Sequence, residues 1–152
     1  MVDCGYETYI RELTFLSSYL WPNAGLAAWS ATRESAHVVL LLQTIYQAFD
    51  EIAISYGVFK VESIGESYVA VTGLPNPQPN HATSMARFAF ACQKKMKELI
   101  PQLEHCFGTS TADLAMRFGV HSGPVTASIL RGYSAQFRLC GDTVNVARKM
   151  EK

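Results

Sequence analysis

Two long segments with helical spacing of their apolar residues enclose a pair of short strand-like segments, and this order constrains the fold most. The helical segments are residues 34–56 and His81–Leu103, where apolar side chains recur every three or four positions. Between them, Val58–Ser63 and Ser67–Thr72 are rich in β-branched and aromatic residues. The glycine at position 65 predicts a tight hairpin turn between these two strands.

The segments outside this unit complete the pattern. Further predicted elements are four strands, Ile10–Leu20, Leu114–His121, Val125–Leu130 and Phe137–Cys140, and a last helix, Thr143–Met150. Trp21-Pro22 is expected to end or distort the first strand, and Ser122-Gly123-Pro124 is expected to turn the chain. The order predicts an α+β, ferredoxin-like βαββαβ sheet with helices on one face, followed by an extra strand and helix.

Length and charge exclude several classes of protein. The 152 residues predict a single domain, 1–152, and 49% hydrophobic residues predict that it folds. Thirteen basic and thirteen acidic residues give zero net charge, so a nucleic-acid partner is not expected. The longest wholly apolar stretch, around Val38–Leu42, is far shorter than the roughly 20 residues of a membrane span, so no membrane segment is expected. The four cysteines lack a C-x-x-C pair, which favours reduced thiols in a cytosolic setting.

Five sequence blocks resemble one family. They are Phe49–Ile52, Tyr56–Tyr68, Val71–Pro75, Arg117–Val125 and Gly141–Ala147, in which Gly-Asp-Thr-Val-Asn is itself fairly specific. In order and spacing they resemble the class III nucleotidyl cyclase catalytic domain. Their local sequences are most similar to guanylyl-cyclase-type domains of algae and protists. The family continues beyond the last residues of this sequence, so the resemblance implies that the C-terminal part of the family fold is absent here.

The resemblance implies a phosphorus–oxygen lyase that converts GTP to cyclic GMP and pyrophosphate, with ATP as the less expected substrate. In such a reaction the ribose 3′ oxygen attacks the α-phosphate, and two Mg or Mn ions activate it and neutralise the phosphates. The family's site is composite, so the implied assembly is a homodimer or a heterodimer with a related cyclase domain. The implied location is the cytoplasm, or the cytoplasmic side of a membrane if the chain is part of a longer receptor-like protein.

The metal-binding positions depart from the family pattern. Pro22 stands where the first metal Asp is expected, and proline has no ligand atom; the adjacent Asn23 offers only a neutral oxygen. Glu66 stands at the second metal position and keeps the charge with one extra methylene. Magnesium tolerates little departure from octahedral geometry, so this change is expected to weaken its binding more than that of manganese.

The positions implied in base recognition are Glu62, Lys60 and Arg138. Glu62 aligns with the residue that selects the base, where guanylyl cyclases have Glu and adenylyl cyclases have Lys. A carboxylate suits the N1–H and amino donors of guanine. Arg138 replaces a residue that is often Cys or Asp in the family. The alternative for Glu62 is an ordinary exposed strand carboxylate paired with Lys60.

The positions implied in catalysis are Asn145, Lys149 and Arg148. Asn145 aligns with the amide that stabilises the transition state, and Lys149 replaces the catalytic Arg. On a helix, Arg148 and Lys149 both lie near the face of Asn145, so a cation remains available. The alternative roles are commonplace ones, a helix-start residue for Asn145 and a dipole partner for Lys149.

Two hypotheses follow from these residues. One is a guanylyl-cyclase-type domain that is weak or inactive alone. The other is a catalytically degenerate cyclase-homology domain, a pseudoenzyme that acts as a regulatory partner or structural subunit. Pro22 and Glu66 favour the second for the isolated chain.

Overall fold

The structure is a computed structural model that describes residues 7–22, 30–31, 33–64, 66–130 and 136–151. The predicted hairpin glycine at position 65 and the candidate ligand Asn23 lie outside these residues.

The described residues include five strands and three complete α-helices, and residues 30–31 are also helical. The elements follow the predicted order, except that the predicted strands Leu114–His121 and Val125–Leu130 are one strand. The strands are β1 (Glu7–Pro22), β2 (Phe59–Ile64), β3 (Ser67–Thr72), β4 (Leu114–Leu130) and β5 (Gln136–Cys140). The helices are α1 (Ser35–Tyr56), α2 (His81–Phe107) and α3 (Asp142–Met150), and a short 3₁₀ turn, Thr109–Asp113, precedes β4.

All strand pairs in the described sheet are antiparallel, and the strand order is β2-β3-β1-β4-β5. The first four strands have the order expected of a ferredoxin-like βαββαβ unit, so this prediction is confirmed. The extra strand β5 pairs with the end of β4. β2 and β5 are therefore the two edges of the sheet, and β1 is its centre.

Two hydrophobic cores lie on opposite faces of the sheet. α1 and α2 cover one face, where Leu16 and Tyr68 are fully buried. α3 covers the other face, where Val144 and Ala147 pack against Phe15. The prediction of helices on one face is thus confirmed for the two long helices, while the last helix packs on the opposite face. Both faces of β3 are buried as a result, and its continuous apolar sequence suits this position.

β4 is one continuous strand, so the predicted turn at Ser122-Gly123-Pro124 is wrong. The partner strand β1 explains the difference. Its pairing with β4 shifts between Ile10 and Leu13, so that residues 11 and 12 lie opposite Pro124. Proline cannot donate a ladder hydrogen bond, but a bulge leaves one place where no donor is needed. The irregularity in β1 therefore lets β4 continue through the proline.

α1 is the most apolar helix of the described chain. By length and composition alone it is able to cross a membrane, with a mean hydropathy of 1.3 over its most apolar 18 residues. The structure uses its apolar stripe to form the core, since Ile45 and Phe49 are fully buried against the sheet and α2. Val39 also fits the helical spacing of apolar residues in the segment 34–56, but it is half exposed near the start of the helix.

Candidate functional site

The carboxylate of Glu62 lies between two guanidinium groups. Arg138 on β5 approaches one oxygen (Nη1 to Oε2, 3.4 Å), and Arg148 on α3 approaches the other (Nη2 to Oε1, 3.6 Å). Only 20% of the Glu62 side chain is exposed, against 40% and 47% for the two arginines. The cluster therefore holds one negative and two positive charges at the edge of the protein.

A cavity of about 160 Å³ opens beside this cluster. The two arginines and Glu62 provide its polar wall, and Phe15, Val69 and Leu139 contribute its apolar lining. An apolar pocket with a few convergent polar groups is the usual form of a small-molecule site. The sequence alone did not identify Phe15 and Val69 as cavity residues, because their strands lie far apart in the chain. Both residues lie on the sheet face that α3 covers, which is the feature they share.

A β-bulge in β2 aims Glu62 at this cavity. Lys60 pairs with Ala70 and Glu62 pairs with Val69, so Val61 is an extra residue between them. Residues two apart on a regular strand share a face, but the extra residue puts Lys60 and Glu62 on opposite faces. Glu62 thereby faces α3 and Lys60 faces α1.

Lys60 does not join the cluster around Glu62. Its Nζ forms an ion pair with Asp50 Oδ2 on α1 (2.8 Å) and lies 5.2 Å from the ring centre of Tyr68. The Tyr68 hydroxyl donates to the other Asp50 oxygen (2.8 Å). Burial, followed by this hydrogen bond and the nearby carboxylate, raises the pKa of Tyr68 far above its usual value. The contacts of Lys60 therefore give no support to its assignment to base recognition, which stays a prediction, and the alternative pairing of Lys60 with Glu62 is not formed.

The curvature of the sheet brings its two edges together at the site. Glu62 lies on edge strand β2 and Arg138 on edge strand β5, and three strands lie between them in hydrogen-bonding order. A second contact crosses the same gap, because the rings of Phe59 and Phe137 meet edge to face at 6.1 Å. Side chains from the opposite edges of a flat sheet would be too far apart for either contact.

α3 carries Asn145 and Lys149 as well as Arg148. Asn145 and Lys149 are exposed, and Arg148, the neighbour of Lys149, is the residue that reaches Glu62. Two contacts fix the helix on β4. The Thr143 hydroxyl donates to the carbonyl of Pro124 (2.7 Å), and the helix backbone passes directly over Gly119. The catalytic assignment of these residues stays a prediction.

The two predicted metal positions are neighbours at the other end of β1. The Leu20 N–H donates to the Glu66 carbonyl (3.1 Å), and two residues later the backbone of Pro22 pairs with Leu114. Burial raises the pKa of Tyr46, and the negative charge of Glu66 raises it further.

These residues do not fit a two-metal centre within one chain. Glu66 offers one carboxylate and Pro22 offers no ligand atom. Across the described parts of the chain, three or more His, Cys, Asp or Glu side chains nowhere gather in a way that could hold a metal ion. Hard divalent ions take several oxygen ligands, so Glu66 and Pro22 alone do not suffice to hold one.

Comparisons with known proteins support the sequence resemblance. The family model described as the adenylate and guanylate cyclase catalytic domain matches residues 24–152. A receptor-type guanylate cyclase of Caenorhabditis elegans is 34% identical over 84% of this chain, and atrial natriuretic peptide receptor 2 of Homo sapiens is 38% identical over 84%. The chain spans 10% and 12% of the lengths of these two relatives.

Solved structures show the same similarity in three dimensions. The guanylate cyclase domain of a rhodopsin–guanylyl cyclase from Catenaria anguillulae, solved in complex with GTP, has a TM-score of 0.81 and 32% identity. The alignment covers 95% of this chain and 74% of that one. With more than four fifths of its sequence matched by the family model and its fold shared with a solved guanylate cyclase domain, the chain belongs to the adenylate and guanylate cyclase catalytic domain family.

Proposed function

We propose that this chain is a guanylyl-cyclase-type domain that contributes the base-reading and transition-state half of a composite site. The reaction is the conversion of GTP to cyclic GMP and pyrophosphate. The observation that carries the proposal is the position of the Glu62 carboxylate, which lines the cavity beside Arg138. An ion pair with Arg148 links it to α3, the helix that also carries Asn145 and Lys149.

The chemistry of the cavity favours guanine over adenine. Guanine presents two neighbouring donors, N1–H and its amino group, and a carboxylate has two oxygens to accept them. Guanine O6 is an acceptor, which suits the guanidinium of Arg138 beside Glu62. Adenine presents an acceptor at N1 and a donor at its amino group, so it would leave the carboxylate with one poor contact. The family-level likeness to a GTP-bound domain supports the same choice.

The residues of α3 suit the charge that develops during cyclisation. As the ribose 3′ oxygen attacks the α-phosphate and pyrophosphate leaves, negative charge grows on the phosphoryl oxygens. The amide of Asn145 can donate to such an oxygen, and Lys149 supplies a positive charge one helical turn away. A lysine acts as a point charge and cannot bind two oxygens at once as arginine does.

The metal half of the site is proposed to come from a second chain. Cyclase domains of this family generally use Mg or Mn, and the described residues of this chain do not assemble a site for either ion. A homodimer would contain Pro22 and Glu66 in both of its sites. A heterodimer with a cyclase domain that carries both aspartates would contain one complete site. We place this assembly on the cytoplasmic side of a membrane or in the cytoplasm, because the relatives include receptor-type and soluble cyclases.

A regulatory or structural subunit is the second candidate function, and Pro22 favours it. In that case the chain would pair with a cyclase and change its activity without contributing to chemistry. The two candidates differ in whether Glu62 affects the nucleotide preference of the mixed assembly.

Cyclase assays with this chain, alone and mixed with an intact cyclase domain, test the proposal. Alone, with magnesium, we expect a very low rate, because removing one electrostatic contributor commonly costs about 10²–10³ in rate. Replacing both Pro22 and Glu66 with Asp should raise the rate more than either change alone. Rapid magnesium-dependent synthesis of cyclic GMP by the unmodified chain would show that the metal half is complete.

The base assignment is tested in the mixture with Glu62→Lys. A mispaired buried polar contact costs about 1–3 kcal/mol, so the preference for GTP should fall by a factor of about 5 to 150. Lys60→Met is the matched control, because Lys60 lies on the other face of the sheet. An unchanged preference with Glu62→Lys would support the regulatory function instead.

A further inference from the structure

The two oxygens of Glu62 are both engaged before any nucleotide arrives. Arg138 Nη1 lies 3.4 Å from Oε2, and Arg148 Nη2 lies 3.6 Å from Oε1. Guanine recognition through N1–H and the amino group needs both oxygens. Each carboxylate oxygen can accept two donors, so an arginine competes with the base only where its guanidinium stands on the cavity side of the oxygen, and both arginines line the cavity.

Arg148 is the arginine that the geometry favours for release. The Arg138 contact satisfies hydrogen-bond geometry, and Arg138 is held in the sheet by the pairing of β5 with β4 at Ser128. The Arg148 contact is an ion pair at a longer distance, from a side chain that is 47% exposed in the last turn of a nine-residue helix. Exposed ion pairs at such distances are weak and readily exchanged.

We propose that Arg148 is a specificity-determining residue that competes with the purine for Glu62. Guanine needs both oxygens, so it displaces Arg148 from Oε1 and shares Oε2 with Arg138; adenine has one suitable donor, which Oε2 can accept while the ion pair of Arg148 stays closed. The inference rests on the proposed function, because it requires that Glu62 reads the base. The inference adds that breaking the ion pair between Arg148 and Glu62 costs free energy each time guanine binds.

This cost predicts an unusual result when a positive charge near the triphosphate of the nucleotide is removed. Arg148→Ala abolishes the competitor, so the guanine nucleotide should bind more tightly relative to the adenine nucleotide. Loss of the positive charge weakens both nucleotides through their identical phosphates, and this effect cancels in the ratio of the two dissociation constants.

The experiment is calorimetric titration with the β,γ-imido triphosphates of guanosine and adenosine, at equal divalent ion concentration, of the whole chain mixed with the intact cyclase domain that supplies the metal half; the heat of the intact domain alone is subtracted. Arg148→Ala should increase the ratio of adenine to guanine dissociation constants about two- to fivefold, the range expected for one exposed ion pair. Arg148→Lys, which keeps a cation for Glu62, should stay near the unmodified ratio. Arg87→Ala removes an exposed arginine from α2 on the opposite face, and it should leave the ratio unchanged.

Glu62→Gln separates the failure of this inference from that of the proposed function. If Glu62→Gln keeps the guanine preference, or if no variant binds either nucleotide at millimolar concentration, the base-reading role of Glu62 is overturned. If Glu62→Gln removes the preference while Arg148→Ala leaves or lowers the ratio, the base site stands and the competition is refuted. Thermal unfolding of each variant checks that α3 remains folded.

Discussion

Replacing Gly119 with alanine should displace α3 and with it the residues proposed to act in catalysis. Gly119 is buried in β4, directly under the backbone of α3. A Cβ at this position would overlap the carbonyl oxygen of Ala147 and lie 2.8 Å from the Glu151 nitrogen, whereas ordinary contacts begin at 3.4 Å. All these obstructing atoms belong to the helix backbone, so no side chain can turn aside. The helix must move away from the strand.

The cost follows from overpacking. Inserting a carbon atom into a packed interior typically costs about 1–3 kcal/mol. For a domain of this size, each kcal/mol lowers the melting temperature by about 2–4 °C, so we expect a fall of about 2–12 °C. Thermal and urea unfolding followed by circular dichroism measure this change. Gly119 does not have the positive φ that alanine avoids, so the cost is steric rather than conformational.

The matched control is Ala115→Ser, which also adds one heavy atom to β4 but at an exposed position. It should leave the melting temperature within about 1 °C. In the mixture with an intact cyclase domain, Gly119→Ala should also reduce the rate, because a misplacement of about 1 Å can cost about 10²-fold. A melting temperature of Gly119→Ala equal to that of Ala115→Ser would refute the close packing of α3 on β4.

Two further predictions concern the other face of the sheet and the thiols. Lys60→Met removes the ion pair with Asp50, and because both groups are more than one third exposed, the free energy of unfolding should fall by only about 0.2–1 kcal/mol, measured by urea unfolding. A larger loss would indicate that this pair is essential for the fold. Burial raises the pKa of the Cys92 thiol well above its usual range, so at neutral and mildly alkaline pH it should resist iodoacetamide in the folded protein while the exposed Cys106 and Cys140 react. Peptide mapping by mass spectrometry distinguishes the three, and rapid native labelling of Cys92 would contradict its burial.

The sequence predicted which segments form elements better than it predicted how they meet. Helical spacing identified both long helices, and the buried Phe49 and Phe88 lie where that spacing placed them. The spacing of α3 likewise marks Val144 and Ala147 as its apolar face, but amphipathicity alone does not say which side of a sheet a helix covers. That choice depends on Gly119, which permits the close approach, and a lone glycine in a strand has several possible causes.

The candidate site shows the same limit at the level of single residues. The family resemblance assigned both Glu62 and Arg138 to base recognition, but it did not predict the contact of Glu62 with Arg148. The rule that residues two apart share a strand face paired it with Lys60, and one extra residue, Val61, reverses that result. Arg138 and Arg148 reach it only because the sheet curls and α3 lies inside the curl. Such long-range geometry depends on the whole sheet and leaves no local pattern in the sequence.

The bulge at Val61 also has a consequence for the solubility of the protein. β2 is an edge strand, and a regular edge strand exposes a row of N–H and C=O groups on which strands of other molecules can grow into aggregates. The bulge interrupts that row, and Lys60 and Glu62 place a charge on each side of it. Deleting Val61 would therefore create a smooth edge suited to fibril-like pairing, at the same time as it turned Glu62 away from its cavity.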